Sequence, residues 1–333
     1  MNWLANPYPD IKSDRAISMT SAGAKNLKIQ QDQTQQKGPL MHATITDIFR
    51  YPVKSMKGHG LSSALLTKRG IPGDRAWALK DEQRGGIKGG KRFPELLSMT
   101  PVFASEPDEE NISPTVSITL QDGKVVSSTD KDINATLSSA VGSPVSLWPI
   151  LPENQLEHYL RPPMDENVDV EAYYREIFAR NPDEPLPDVS LFPEEVLKYE
   201  SPPGSYFDAF PILVMSKASL IHLNKAAASA GGHSNFDVRR FRPNILLDLL
   251  DMDASGFPEN EWMGRRAKIG SAVIKFEMPC PRCVITTHGF DDLPKDPKIM
   301  RHLVKENGGN LGAYVSIVTP GSFNTGDIIE LLD

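Results

Sequence analysis

The chain has 333 residues, 39% hydrophobic and 24% charged, with a formal net charge of −7. That length exceeds the roughly 250 to 300 residues at which single cores stop growing, so two lobes or one elaborated domain are expected. No stretch approaches the ~18 consecutive apolar residues of a membrane span, and the negative balance argues against a phosphate-tracking surface for nucleic acid.

The cysteines are Cys280 and Cys283 alone. A pair this close in sequence cannot staple a fold, which indicates a reducing compartment, and two thiols cannot hold a four-cysteine iron–sulfur cluster. The amino terminus has neither an apolar signal core nor an Arg-rich amphipathic face, so a cytoplasmic location is expected. Residues 22–40 are rich in Gln and Lys and cannot bury enough surface to offset their ordering entropy. Residues 1–40 are therefore read as a flexible tail, with ordered structure starting at Met41.

From Met41 the run ATITDIFRYPV alternates apolar and polar residues and predicts a strand. AWALKDEQRGGIKGGKRF predicts strand, glycine-rich turn, strand, and VSITLQDGKVVS a hairpin turning at Asp122-Gly123. A short helix is expected near Thr136–Val141. Residues 151–210 are rich in proline and acids, with helical spacing only in DVEAYYREIFAR, and read as a connecting insertion between lobes at 41–150 and 211–333. Beyond it, FPILVM predicts a buried strand. Ser216 can N-cap the helix KASLIHLNKAAASA, which Gly231 and Gly232 stop. The remainder reads as strands, including the β-branched run VITT after Cys283, plus a helix near Asp296–Asn307. The fold class expected is mixed α/β, mainly β: a β-barrel core, an associated N-terminal β-barrel lobe and a few peripheral helices.

The strongest local feature is Pro279-Cys280-Pro281-Arg282-Cys283. A rigid turn presents thiol and guanidinium together, and Arg282 would favour the thiolate that a transition metal takes as ligand. Half of a zinc site, a redox dithiol and two buried small hydrophobes are the rival readings. In thioredoxin-like proteins the redox motif opens a helix, whereas a strand is expected here. A second feature, Val238 to Asn244 (VRRFRPN), places Arg239, Arg240 and Arg242 around an aromatic before a strand, a favourable anion site. Lys54 and Ser55, closing YPVKS, can bind phosphate. The free N–H groups of the helix after Ser216 offer another anion site. Gly85 to Lys91 imitates a phosphate-binding loop but has Arg92 in place of the required Ser or Thr, and reads as a hairpin turn. Among the histidines, His288 alone lies near a candidate site in sequence.

Taken in order, YPVKS, GDRAW, RFRPN, PCPRC, LGAY and PG-x4-GD resemble the MOSC family, which includes amidoxime-reducing components and the C-terminal domain of molybdenum cofactor sulfurase. The resemblance covers Met41–Pro149 as the N-terminal β-barrel segment and Pro211–Asp333 as the MOSC domain. It implies a Mo-molybdopterin cofactor with Cys283 as the metal ligand at the reacting centre and Cys280 outside the ligand set. It implies cofactor contacts from Lys54, Ser55, Arg75, Ser216, Arg242, Asn244, Arg282 and Tyr314. The implied activity is reduction of N-hydroxylated compounds, with electrons from cytochrome b5 and its NADH-dependent reductase and His288 as a candidate proton donor. The alternatives are a cofactor carrier or sulfur-relay protein without turnover, and a cofactor-free interaction protein. The polar amino terminus differs from the apolar anchor of the human-type reducers.

Overall fold

The structure is a computed structural model that describes residues 42–164, 166–249 and 256–332. The expected tail and Met41 lie outside the described residues. In chain order the first strands are β1 (His42–Arg50), β2 (His59–Leu61), β3 (Ser63–Leu66), β4 (Trp77–Asp81), β5 (Ile87–Lys88), β6 (Thr100–Phe103), β7 (Val116–Thr119), β8 (Val125–Ser127) and β9 (Val145–Pro149). After the insertion come β10 (Ile212–Ser216), β11 (Ile245–Leu249), β12 (Arg266–Ile269), β13 (Ala272–Pro281), β14 (Asn310–Thr319), β15 (Gly321–Asn324) and β16 (Ile328–Leu331). Helices are α1 (Ile133–Val141), α2 (Leu156–Tyr159), α3 (Val170–Ile177), α4 (Glu194–Lys198), α5 (Lys217–Ser229) and α6 (Lys298–Asn307).

Seven strands run β11-β10-β14-β13-β12-β16-β1 and close on themselves through a β1–β11 ladder, Ala43 facing Leu249 and Ile48 facing Ile245. Alternation explains the closure: β13 reads buried, half-buried, buried along its length, so one face fills the barrel while the other meets helices and solvent. Ile45, Ile212, Ile245, Ile274, Phe276 and Ile329 meet in that interior. Truncating Phe276 to alanine there would cost about 3–5 kcal/mol.

A second core gathers Trp77, Leu79, Phe93, Ile118, Leu137 and Val145 between α1 and the small sheets β5-β4-β9 and β6-β7-β8. Strands from both ends of the chain share the barrel, and β3 pairs with β15. A boundary near residue 150 therefore runs through the sheet, with β1 on one side and its partners β11 and β16 on the other.

The insertion is packed in place. Tyr159, Tyr199 and Tyr206 are buried with Ala78 and Ile87, and Glu200 receives both Lys88 and Arg161. One expectation fails locally. The run after Cys283 is a 3₁₀ turn over Val284–Thr287 rather than a strand, because the Cys283 carbonyl accepts from both the backbone and the hydroxyl of Thr286 (3.2 and 3.0 Å). The contrast drawn with redox motifs that open a helix therefore loses its basis.

Candidate functional site

The end of β1 sets the site. After Arg50 the chain lies parallel to Arg75–Trp77: Arg75 N donates to Tyr51 O (2.6 Å), Trp77 N to Pro52 O (3.1 Å), and Lys54 N to Trp77 O (2.8 Å). YPVKS and GDRAW thus form one wall. The loop ahead of β11 is drawn against them because the Asn244 carbonyl accepts from Phe49 N and its N–H donates to Leu213 O, both at 2.8 Å. Lys54, Ser55, Arg75, Arg242, Asn244, Arg282, Cys283 and Tyr314 all line the resulting cleft, with Phe207, Asp208 and Phe210.

Five non-glycine residues among those described have positive φ, and three of them, Ser55 (66°), Arg75 (49°) and Arg242 (55°), stand in this cleft. Each left-handed conformation costs of order 1 kcal/mol or more, and such strain concentrates where a fold aims a functional side chain.

Arginine geometry is fixed by an aromatic ring. The guanidinium carbons of Arg242 and Arg75 lie 4.3 and 4.6 Å from the Tyr51 ring centre. Tyr51 is anchored by its hydroxyl to Pro243 O (3.0 Å) and its N–H to Asp74 (2.8 Å), and burial pushes its pKa up to about 12. Arg242 Nη1 donates to Met56 O (2.6 Å), while Nη2 is buried with no acceptor. Burial lowers the Arg242 pKa to about 10, so the charge persists at neutral pH. Burial also works against Arg75, but the ion-paired Asp74 with Tyr51 and Asp208 together outweigh it and raise its pKa. Asn244 is consumed by structure: it donates to Asp74 (2.9 Å) and Phe49 O (3.3 Å), and accepts from Arg75 and Leu213 N, both at 3.2 Å. It positions Arg75 and has no donor to spare for a ligand.

Lys54 Nζ donates to Tyr206 O (2.8 Å) and Asp208 (2.7 Å). Burial lowers the Lys54 pKa against the pull of Asp208. Burial would raise Asp208, but Lys54 and Lys91 together hold it well below the usual carboxylate range. Asp208 is 56% exposed at the mouth, so solvent screens part of that pull. Ser55 Oγ accepts from Gly90 N (2.8 Å), and a Cβ on Gly89 would stand 2.4 Å from that oxygen. The glycine-rich segment set aside as a hairpin turn therefore abuts the cleft. Lys91, at its end, is exposed; desolvation at its ammonium is outweighed by Cys283 and Asp208, which raise its pKa.

Cys283 is partly exposed in the cleft and Cys280 is buried, its thiol pKa raised by that burial. Arg282 lines the cleft together with Cys283. Its guanidinium turns inward, donating to Leu311 O (2.8 Å) and Phe241 O (2.9 Å), and reaches the cleft only as part of its floor. Gly312 makes that possible: at φ 79° a Cβ would lie 2.7 Å from Val214 O and 3.3 Å from Arg282 Nη2.

Ser216 is not in the cleft. Its Oγ caps α5 by accepting from Ser219 N (3.1 Å) and donates to the buried Glu259 carboxylate (2.8 Å). That carboxylate already occupies the helix terminus offered as an anion site. The three clustered arginines also separate: Arg239 pairs with Asp237 and Asp292, Arg240 donates to carbonyls of Asn235, Thr286, His288 and Pro294, and Arg242 alone of the three keeps a donor, the buried Nη2, without a protein acceptor. His288 lines no part of it, and burial lowers its pKa. Sequence reading passed over Tyr51, Asp74, Lys91 and Asp208. Tyr51 shares a motif with Lys54, Asp74 adjoins Arg75 and Lys91 ends the glycine-rich segment, whereas Asp208 stands in none of the motifs. Among the described residues no three His, Cys, Asp or Glu side chains are grouped to hold a metal, so a metal here would rest on Cys283 and on ligands from a cofactor.

A family model described as the MOSC domain matches residues 203–330, and one described as the MOSC N-terminal beta barrel domain matches residues 42–141. The chain belongs to the MOSC family. This MOSC protein is 25% identical to mitochondrial amidoxime-reducing component 1 of Mus musculus, over 87% of this chain and 82% of the relative. It is 24% identical to mitochondrial amidoxime reducing component 2 of Bos taurus, over 85% and 82%. A stretch of 83 residues is 36% identical to component 2 of Homo sapiens, 25% of this chain and 22% of that one. Among solved structures, the YuaD protein from Bacillus subtilis aligns over 88% of this chain and 97% of its own, at 11% identity and a TM-score of 0.38. Among the described residues no helix of this MOSC protein is long and apolar enough to cross a membrane.

Proposed function

We propose that this MOSC protein holds a molybdenum cofactor in the cleft, with Cys283 as the protein ligand to the metal, and reduces N-hydroxylated compounds. Electrons would come from an external cytochrome b5 and its NADH-dependent reductase. The observation that carries the reading is a partly exposed thiol sharing one cleft with Arg242 Nη2, a buried donor that lacks an acceptor. A buried unsatisfied guanidinium nitrogen costs free energy, and a phosphate oxygen removes that cost. The residues present therefore fit a phosphate-bearing pterin whose metal takes one thiolate.

Arg242, Arg75, Lys54 and Ser55 would hold the phosphate and pterin polar groups, with Arg282 and Tyr314 shaping the floor. The cofactor, when bound, supplies two-electron redox chemistry at its metal. Tyr51, Asp74 and Asn244 hold the two guanidinium groups in place beforehand, so binding spends little on ordering them. Phe207 and Phe210 are half-buried apolar walls that keep water from the thiol side. The net reaction takes two electrons and two protons per N–OH and releases water.

Elemental analysis tests this directly, on protein made in a host that synthesises the cofactor. Near-stoichiometric molybdenum in the parent protein and none in Cys283→Ala, with NADH-dependent reduction of benzamidoxime through cytochrome b5, is the expected result. A parent protein without molybdenum overturns the reading. Molybdenum without turnover moves the assignment to a cofactor carrier or sulfur relay.

A further inference from the structure

Residues 142–202 fall between the two family-model matches. From this segment Arg180 reaches the Gly308–Gly309 turn that is hydrogen-bonded to Arg282. Its backbone is aimed by strain, since Ala179 immediately before it has φ 49°, and the Arg301 guanidinium donates to the Ala179 carbonyl. Arg180 is only 5% exposed. Nη1 donates to Phe178 O (3.0 Å) and touches Met300 Sδ (2.7 Å), Nη2 reaches Gly308 O at 3.5 Å, and Nε is buried with no acceptor. The nearby carboxylate, Glu184, is paired with Arg301.

Gly309 shows how closely the guanidinium lies on the turn: a Cβ there would fall 1.9 Å from Arg180 Nη2. The carbonyl of the same glycine accepts from Arg282 N (2.9 Å), one residue before Cys283. Burial lowers the Arg180 pKa to about 10 against the pull of Glu184, so it stays charged at neutral pH; Arg301 lowers it further and Cys283 has the smallest influence of these. A buried cation without a carboxylate destabilises a fold unless something anionic compensates it in the working protein.

We propose that Arg180 is a positioning residue for Cys283, pinning the Gly308–Gly309 turn that fixes Arg282 and supplying positive charge to the thiol. An anionic group bound at Cys283 would then feel this charge in addition to that of the Lys54–Arg242 wall. The role toward the cofactor rests on the function proposed above; the electrostatic role does not.

The test uses full-length protein from a host unable to make the cofactor, alkylated with iodoacetate or with neutral iodoacetamide at one fixed pH. Peptide mass mapping reads Cys283, with buried Cys280 as the internal control. Both reagents consume the thiolate, so its population cancels in the ratio of rates, which then reports the local potential. Arg180→Met should lower the iodoacetate-to-iodoacetamide ratio by about three- to fivefold, and Arg180→Lys should keep it near the parent value. An unchanged ratio in the Met variant, or an equal fall in the Lys variant, overturns the proposal. If Arg180→Met does not fold, Gly309→Ala serves instead. It displaces the guanidinium and should lower the ratio, and an unchanged ratio again overturns the proposal. Absence of molybdenum from the holoprotein preparation would sink the reductase reading while leaving this ratio readable.

Discussion

Arg242 lies with its guanidinium carbon 4.3 Å from the centre of the Tyr51 ring, and on the same side chain Nη2 is buried without a partner. The ring thus holds in place a charge with one donor that no protein group satisfies. Arg242→Met is expected to weaken cofactor retention by about ten- to a hundredfold, the 1.5–3 kcal/mol of a charge-assisted hydrogen bond. Pterin released on desalting, read by fluorescence after oxidation, checks it; parental retention in the variant would remove Arg242 from the site.

Tyr51 separates ring from hydroxyl. Tyr51→Phe keeps the face on which Arg75 and Arg242 stack and loses only the bond to Pro243 O. It should cost about 1 kcal/mol of stability with cofactor content intact. Tyr51→Leu removes the stacking face as well, at about 0.5–2 kcal/mol for each cation, and should lose cofactor. Equal cofactor content in both variants would show that the stacking does not order the arginines.

Ser216 tests where the helix terminus belongs. Ser216→Ala removes the cap of α5 and should lower stability by about 1 kcal/mol while leaving molybdenum content unchanged, since the serine faces Glu259 and not the cleft. Loss of metal in a folded Ser216→Ala protein would return it to the cofactor site.

Glu259 carries a pH signature. Burial raises its pKa, so the stability that its neutral form contributes is full below the ordinary carboxylate value and is lost as pH rises through the folded value. Glu259→Gln should therefore raise the thermal midpoint at neutral and alkaline pH more than at pH 4, measured by calorimetry across that range. In the opposite sense, burial lowers the pKa of His59, His158 and His288. Stability tied to these neutral rings is present above their unfolded value of about 6.5 and is lost as pH falls through the folded values. The parent midpoint should fall between pH 7 and 5, and a flat profile would contradict these three burials together.

The barrel and most of its strands were legible because alternation along β1, β13 and β14 repeats with period two, which one buried face imposes. The anion-binding character of Arg242 was legible from residue type. Its neighbours were not, because Arg239 and Arg240 have the same chemistry and differ only in what the fold sets opposite them: two carboxylates for one, four carbonyls for the other. VITT misled because β-branched propensity is weak beside one carbonyl that accepts twice from Thr286. Ser216 was correctly read as a cap, but its partner lies 43 residues away and no spacing rule reaches it. Asp208 and Lys91 drew no attention because charged loop residues are ordinarily solvated.

Closure of the barrel through β1 also governs how the protein comes into being. β1 emerges first from the ribosome among the described strands, and while β2 follows it closely, its other ladder partners, β11 and β16, lie some 200 and 285 positions further on. Until the last of these is synthesised, the His42–Thr44 edge of β1 lacks its ladder, so the nascent chain carries an aggregation-prone strand end through nearly its whole translation. Removing β16 from the carboxyl end would open the barrel at its amino-terminal strand, exposing the same edge permanently.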